Sequence, residues 1–191
     1  NSIHLIEDEI EKFNKRKNAA KNERTGVPVG TIPLLVCPNC RQHLHIENAE
    51  INYKYIYEGI LSCPCGYHAT IENGIVRTEN IYEGSYDRPD LRRKLYHDIG
   101  EDWEIYVQKC SDAIIERIDR GDWNGKVIME ANVNGFFFTY NNIHQLPRNC
   151  TYIIVDKYYE VIAMYTDLFE RLFQGLDILN IADDYARFPI Q

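Results

Sequence analysis

The stretch Lys126–Asn141, KVIMEANVNGFFFTYN, decides how the C-terminal half of the chain is read. A short apolar run of strand length leads into a tight turn, and an aromatic segment of helical character follows. Nucleotide-binding α/β folds often place a glycine-rich loop at such a turn. Here Asn132 and Asn134 stand where glycines are expected, with Gly135 beside them. Beyond it, TYIIVD reads as a strand, YYEVIAMYTDLFERLF as a helix and LDILNI as a third strand. Strands alternating with helices of this length imply parallel βαβ units, so residues 126–191 are expected to form a Rossmann-like parallel βαβαβ region.

Upstream, the chain changes character three times. Ser2 to Asn18 carries Ile3, Ile6, Ile10 and Phe13 at helical spacing, with acids preceding bases as a helix dipole favours. The linker RTGVPVGTIP follows, where two glycines and two prolines argue against regular structure. A short-stranded segment then runs to Thr78, in which INYKYIYEGI sets Ile51, Tyr53, Tyr55 and Tyr57 on one face of a single strand. Between Tyr82 and Arg120 the apolar stripe Trp103, Tyr106, Val107, Cys110, Ile114 and Ile118 marks a helix that Gly121 ends. The expected units are therefore 1–30 (helix and linker), 31–80 (short strands), 81–125 (helical connection) and 126–191 (α/β).

Bulk composition narrows the function. The 191 residues are 45% hydrophobic, 26% charged and 12% aromatic, as in a folded domain. A net charge of −8 argues against a broad phosphate-binding surface, because nonspecific nucleic-acid affinity comes from Lys and Arg. The N-terminus NSIHLIEDEIEKF lacks the basic-then-apolar arrangement of a signal peptide, and no run is long enough to span a bilayer. A cytoplasmic protein without membrane contact is expected.

Four of the six cysteines form two close pairs, Cys37–Cys40 in CPNC and Cys63–Cys65 in CPC, separated by 22 residues. In a reducing compartment such pairs favour metal over disulfide. Zn²⁺ takes four soft or borderline ligands in a tetrahedron, and two tight turns presenting two thiolates each supply them. The second pair is one residue shorter than the usual spacing. Cys65 therefore competes with His68, and more distantly with His43 and His45, for the fourth position. Ligation by Cys37, Cys40, Cys63 and Cys65 in a closed, structural zinc ribbon is the expectation. Cys110 and Cys150 lie in apolar patterns and read as core residues.

The segments LVCPNCRQHL and LSCPCGYHATIENGIVR resemble the small zinc ribbons that precede or partner S-adenosylmethionine-dependent methyltransferases. Leu44, Leu61, Ile71, Asn73, Gly74, Ile75 and Val76 occupy the shared positions. Stand-alone members of that group activate partner methyltransferases, and fused members include rRNA guanine methyltransferases. The resemblance implies that a class I methyltransferase domain follows. In that family the first strand ends in an acid, with glycines two, four and six residues later. Here the acid is Glu130, and Asn132, Asn134 and Phe136 hold those places, with Gly135 one residue early. Asparagine is the non-glycine residue that best tolerates left-handed backbone angles. Asp156 ends the second strand, where an acid accepts hydrogen bonds from ribose hydroxyls. NIADDYARFPI is similar to the family's D-x-x-x-x-P-F segment, which places Asp184, or its neighbour Asp183, against the adenine amino group.

These features lead to two expectations of different kinds. One is the S-adenosylmethionine-binding half of a zinc-ribbon methyltransferase, acting on an unknown acceptor such as RNA or protein. A class I domain needs about seven strands and three fit here, and no nucleophile–base constellation stands out, so its catalytic residues stay unassigned. The other is a noncatalytic zinc-ribbon protein that binds a partner protein or RNA through the ribbon. A nicotinamide Rossmann domain would need G-x-G-x-x-G opening its first helix, which nothing here supplies.

Overall fold

The computed structural model describes residues 25–80, 89–133, 138–172, 176–184 and 189–190. The N-terminal helix expected over Ser2–Asn18 lies outside them, as do Asn134 and Gly135. The fold is mixed α/β, with a sheet of eight strands.

The first half builds an antiparallel unit. Strands β2 (His45–Asn52) and β3 (Tyr55–Ser62) form a hairpin. The register Asn52↔Tyr55 leaves a two-residue turn at Tyr53 and Lys54. INYKYIYEGI is therefore not one strand. Tyr53 takes a left-handed φ of 56° at the turn and is 96% exposed, whereas Tyr57 is buried. Alternation alone cannot distinguish a straight strand from one that doubles back, because both keep the period of two. The opposite edge of β3 is shared by β1 (Val27–Pro28) at its start and β4 (His68–Glu72) at its end. The presumed linker is thus partly ordered: Pro28 sits on an edge strand, where its missing N–H costs no ladder bond, and Val29–Leu34 form a 3₁₀ helix. β4 turns into β5 (Ile75–Arg77) through Asn73 and Gly74, whose φ values of 53° and 75° make the tight hairpin that Asn-Gly favours. Gly74 is also sterically required, since a Cβ there would lie 2.7 Å from the Gly26 Cα.

Helix α1 (Pro89–Asp119) breaks at Gly100, where φ is 12° and ψ is −108°. The three expected α/β strands follow: β6 (Val127–Ala131), β7 (Thr151–Asp156) and β8 (Asp177–Ala182), all parallel and ordered β8-β7-β6. Helix α3 (Tyr159–Leu172) matches its reading, while the first connecting helix, α2 (Phe138–Asn142), is shorter than FFFTYNNIHQL suggests.

Two layers cover this sheet. Successive right-handed crossovers in one direction set their helices on the same face. There Ile118, Phe138, Val161, Tyr165 and Phe169 pack with Tyr152, Ile154 and Ile178. On the opposite face, Ile153, Val155, Leu179 and Ile181 pack against the antiparallel unit, including Leu35, Cys37, Leu44 and Tyr67. The two halves are joined through hydrogen bonds as well. β5 pairs in parallel with β8, so one sheet runs from β1 to β6. Among the described residues of the three parallel strands, those of β6 lie beyond the second layer. Val127 and Met129, on the face that carries Ile153 in the neighbouring strand, are 45% and 50% exposed.

Candidate metal centre and acid edge

Both cysteine-bearing turns are shaped by backbone hydrogen bonds before any side chain is considered. In the first, Cys37 N–H donates to the Gln42 carbonyl at 2.7 Å and Arg41 N–H donates back to the Cys37 carbonyl at 2.8 Å. Arg41 takes a left-handed φ of 63° to close the turn. In the second, Gly66 N–H reaches the Cys63 carbonyl at 2.9 Å, with Gly66 at φ 93°. This turn is what lets a C-x-C pair present both thiols to one point.

The four sulfur atoms of Cys37, Cys40, Cys63 and Cys65 lie within 4.8 Å of one another. The pairs Cys37–Cys65 and Cys40–Cys63 are each 3.4 Å apart. A tetrahedral zinc with bonds of about 2.3 Å would hold its sulfurs about 3.8 Å apart, a spacing between the 3.4 Å of the two close pairs and the 4.8 Å bound of the whole cluster. Asn39 N–H points at the Cys37 sulfur at 3.4 Å, a donor that stabilises thiolate charge. His43, His45 and His68 are exposed and outside this cluster. Donor type, spacing and the amide aimed at Cys37 are all compatible with a structural metal site. Cys150 is buried, as read, and donates to the Trp123 carbonyl at 2.9 Å, whereas Cys110 is only half-buried.

The acids expected at the strand ends do gather at the C-terminal edge of β6, β7 and β8, in different circumstances. Glu130 is committed to the fold. Its two carboxylate oxygens accept the N–H groups of Phe138 and Thr139, each at 2.8 Å, and so cap the start of α2. Burial pushes this carboxyl above its ordinary range, the hydrogen bonds from Thr139 and Phe138 oppose that, and the charge of Asp156 adds to it. Asn132 occupies the left-handed region, with φ 59°, and its N–H donates to the Val155 carbonyl at 3.0 Å. This is a backbone conformation that asparagine tolerates better than other non-glycine residues do.

Asp156 and Asp183 are fully buried, and Asp184 is exposed. Asp156 Oδ1 accepts from Tyr158 N–H at 2.9 Å, which turns the chain toward α3. Asp183 N–H donates to the Asp156 carbonyl at 3.0 Å, one position beyond the Asp156↔Ala182 pair that ends the β7–β8 ladder. Asp183 Oδ2 in turn accepts from Thr78 Oγ1 at 2.6 Å.

No protein-family model and no curated protein sequence matches this chain. Among the described residues no helix is long and apolar enough to cross a membrane.

Sequence reasoning missed Thr78, Tyr67 and Arg41. Thr78 carries no motif, and its partner lies 105 residues away. Arg41 follows the first knuckle, where a basic residue on the surface is unremarkable, yet its guanidinium donates to the Ile190 carbonyl at 2.7 Å.

Proposed function

We infer that the chain binds a nucleoside-containing ligand at the C-terminal edge of β6, β7 and β8, with S-adenosylmethionine the preferred candidate and methyl transfer the reaction class. One observation carries this reading: buried acids end two adjacent parallel strands, on the edge where open α/β sheets take their ligands. Asp156 would accept the ribose hydroxyls, and Asp183 or Asp184 the adenine amino group. Asn132 would shape the turn beneath the methionine end, while Glu130 holds the following helix in position. The sulfonium, when bound, supplies an already activated methyl group, so the protein's share is binding and orientation rather than acid–base chemistry. Zinc would be held by Cys37, Cys40, Cys63 and Cys65 in a structural role. The methyl acceptor, whether RNA or protein, is left to experiment.

The test is calorimetric titration of the zinc-loaded chain with S-adenosylhomocysteine, which binds without turning over. Micromolar binding supports the reading, and no binding by a folded, zinc-loaded chain rejects it. A second reading, a noncatalytic zinc-ribbon protein that binds a partner protein or RNA, draws on the outward face of α1. Trp103, Tyr106 and Ile114 of its stripe are exposed there, with the rings of Trp103 and Tyr106 5.6 Å apart.

A further inference from the structure

The acid edge is not held by the α/β half alone. Thr78, the residue after β5, extends the β5–β8 ladder by donating its N–H to the Ala182 carbonyl at 3.2 Å. Its hydroxyl then reaches the Asp183 carboxylate at 2.6 Å. Both groups are buried, and a charge-assisted bond of this length fixes the carboxylate rotamer as well as stabilising its charge. The residue that orients Asp183 therefore comes from the metal-binding unit.

Two more ties run the same way. The first knuckle grips Pro189 and Ile190: Val36 N–H donates to the Pro189 carbonyl at 2.9 Å, Leu35 bridges to Ile190, and Arg41 reaches the Ile190 carbonyl. Tyr67 leaves the second knuckle directly and is only 4% exposed, yet its hydroxyl has no hydrogen-bond partner among the described residues. Tyr67 packs in the apolar cluster that holds Val76 and Ile181, the paired residues two positions before Thr78 and Asp183. A buried donor left unused is costly unless something else claims it.

We propose that the metal ribbon is a working part of the ligand edge: Thr78 positions Asp183, Tyr67 offers its hydroxyl to a polar group of the ligand bound at that carboxylate, and metal in the cysteine cluster keeps both in place. The proposal rests on the ligand reading above, so its test carries one readout that needs no ligand. The zinc-loaded full chain is followed by hydrogen exchange at the Asp183 amide and by titration with S-adenosylhomocysteine. Thr78→Val keeps the side-chain shape and removes the donor. It is expected to retain one metal per chain, to speed exchange at Asp183 about tenfold and to weaken ligand binding by a similar factor. Thr78→Ser restores the hydroxyl and should restore both. Tyr67→Phe removes an unpaired donor, so stability should hold while affinity falls severalfold. Chelating the zinc should reproduce the faster exchange at Asp183.

Unchanged exchange at Asp183 in both Thr78→Val and the chelated chain overturns the positioning role. Faster exchange without any binding by the wild type leaves positioning supported and rejects the nucleoside reading instead. Wild-type affinity in both Thr78→Val and Tyr67→Phe overturns the ribbon's share in binding while sparing that reading.

Discussion

Val76 and Ile181 lie side by side in parallel register, joining the last strand of the cysteine-bearing unit to the last strand of the α/β unit. Their side chains share one apolar cluster with Cys37 and Cys63. The cysteine cluster and the parallel sheet therefore meet in a common core. An exposed Lys54–Asp177 ion pair at 3.0 Å crosses the same seam but adds little, since such pairs are worth at most about 1 kcal/mol.

The shared core predicts that losing the metal is felt beyond the knuckles. Cys40→Ser should abolish stoichiometric zinc and lower the melting temperature by about 10 °C or more, because metal affinity in such sites is folding free energy. The melt should stay a single transition whether followed by far-ultraviolet circular dichroism or by tyrosine absorbance. A variant that keeps zinc and melts normally would remove Cys40 from the ligand set.

Metal affinity should rise steeply with pH. Burial raises the Cys37 thiol, but the amides of Cys40 and Asn39 and the neighbouring thiols outweigh it and bring it to about 7. At Cys63 the Cys65 amide lowers the thiol, yet burial and the other three cysteines push it up to about 12. Cys37 thus gives up its proton near neutrality and Cys63 only at high pH. In the metal-free chain the ionisation of Cys37 stabilises the fold fully above its unfolded value near 8.5, and this is lost as pH falls through about 7. Cys63 acts oppositely: its contribution is present below that unfolded value and is lost as pH rises through about 12. Zinc must expel the remaining protons, so competition with a chromophoric chelator should show affinity rising about tenfold or more per pH unit between pH 6 and 8. A flat profile would argue against thiolate ligation.

The acids should separate by role. Asp156→Ala is expected to abolish S-adenosylhomocysteine binding while leaving one zinc per chain, and unchanged affinity would discard the ribose assignment. Glu130→Ala should instead cost stability, about 1–2 kcal/mol in urea unfolding, because two amides at the start of α2 lose their acceptor.

Helix α1 should respond unevenly to truncation. Ile118 is buried against Trp123 and the helical layer, so Ile118→Ala should cost about 2–4 kcal/mol. Trp103→Ala, on the exposed stretch of the same stripe, should stay within about 0.5 kcal/mol. Equal losses would mean that the stripe is covered along its whole length.

The sequence by itself determined the local features. Paired cysteines mark the knuckles because thiolates must converge within a few residues. Lys126–Ala131, Thr151–Asp156 and Leu176–Ile181 read as strands because apolar runs of that length, set between helical segments, leave few other readings. Acids at strand ends were visible for the same reason. What remained hidden was pairing at a distance. Nothing in NGIVR or LDILNI says that β5 and β8 are neighbours, since parallel register is set by how the two units pack. Tertiary structure alone decided that the antiparallel unit takes the second face of the sheet, that Glu130 serves a helix start, and that Asp183 is oriented by a threonine from the other half. Each depends on burying apolar surface and satisfying polar groups between segments far apart in the chain. Local pattern carries no record of those terms.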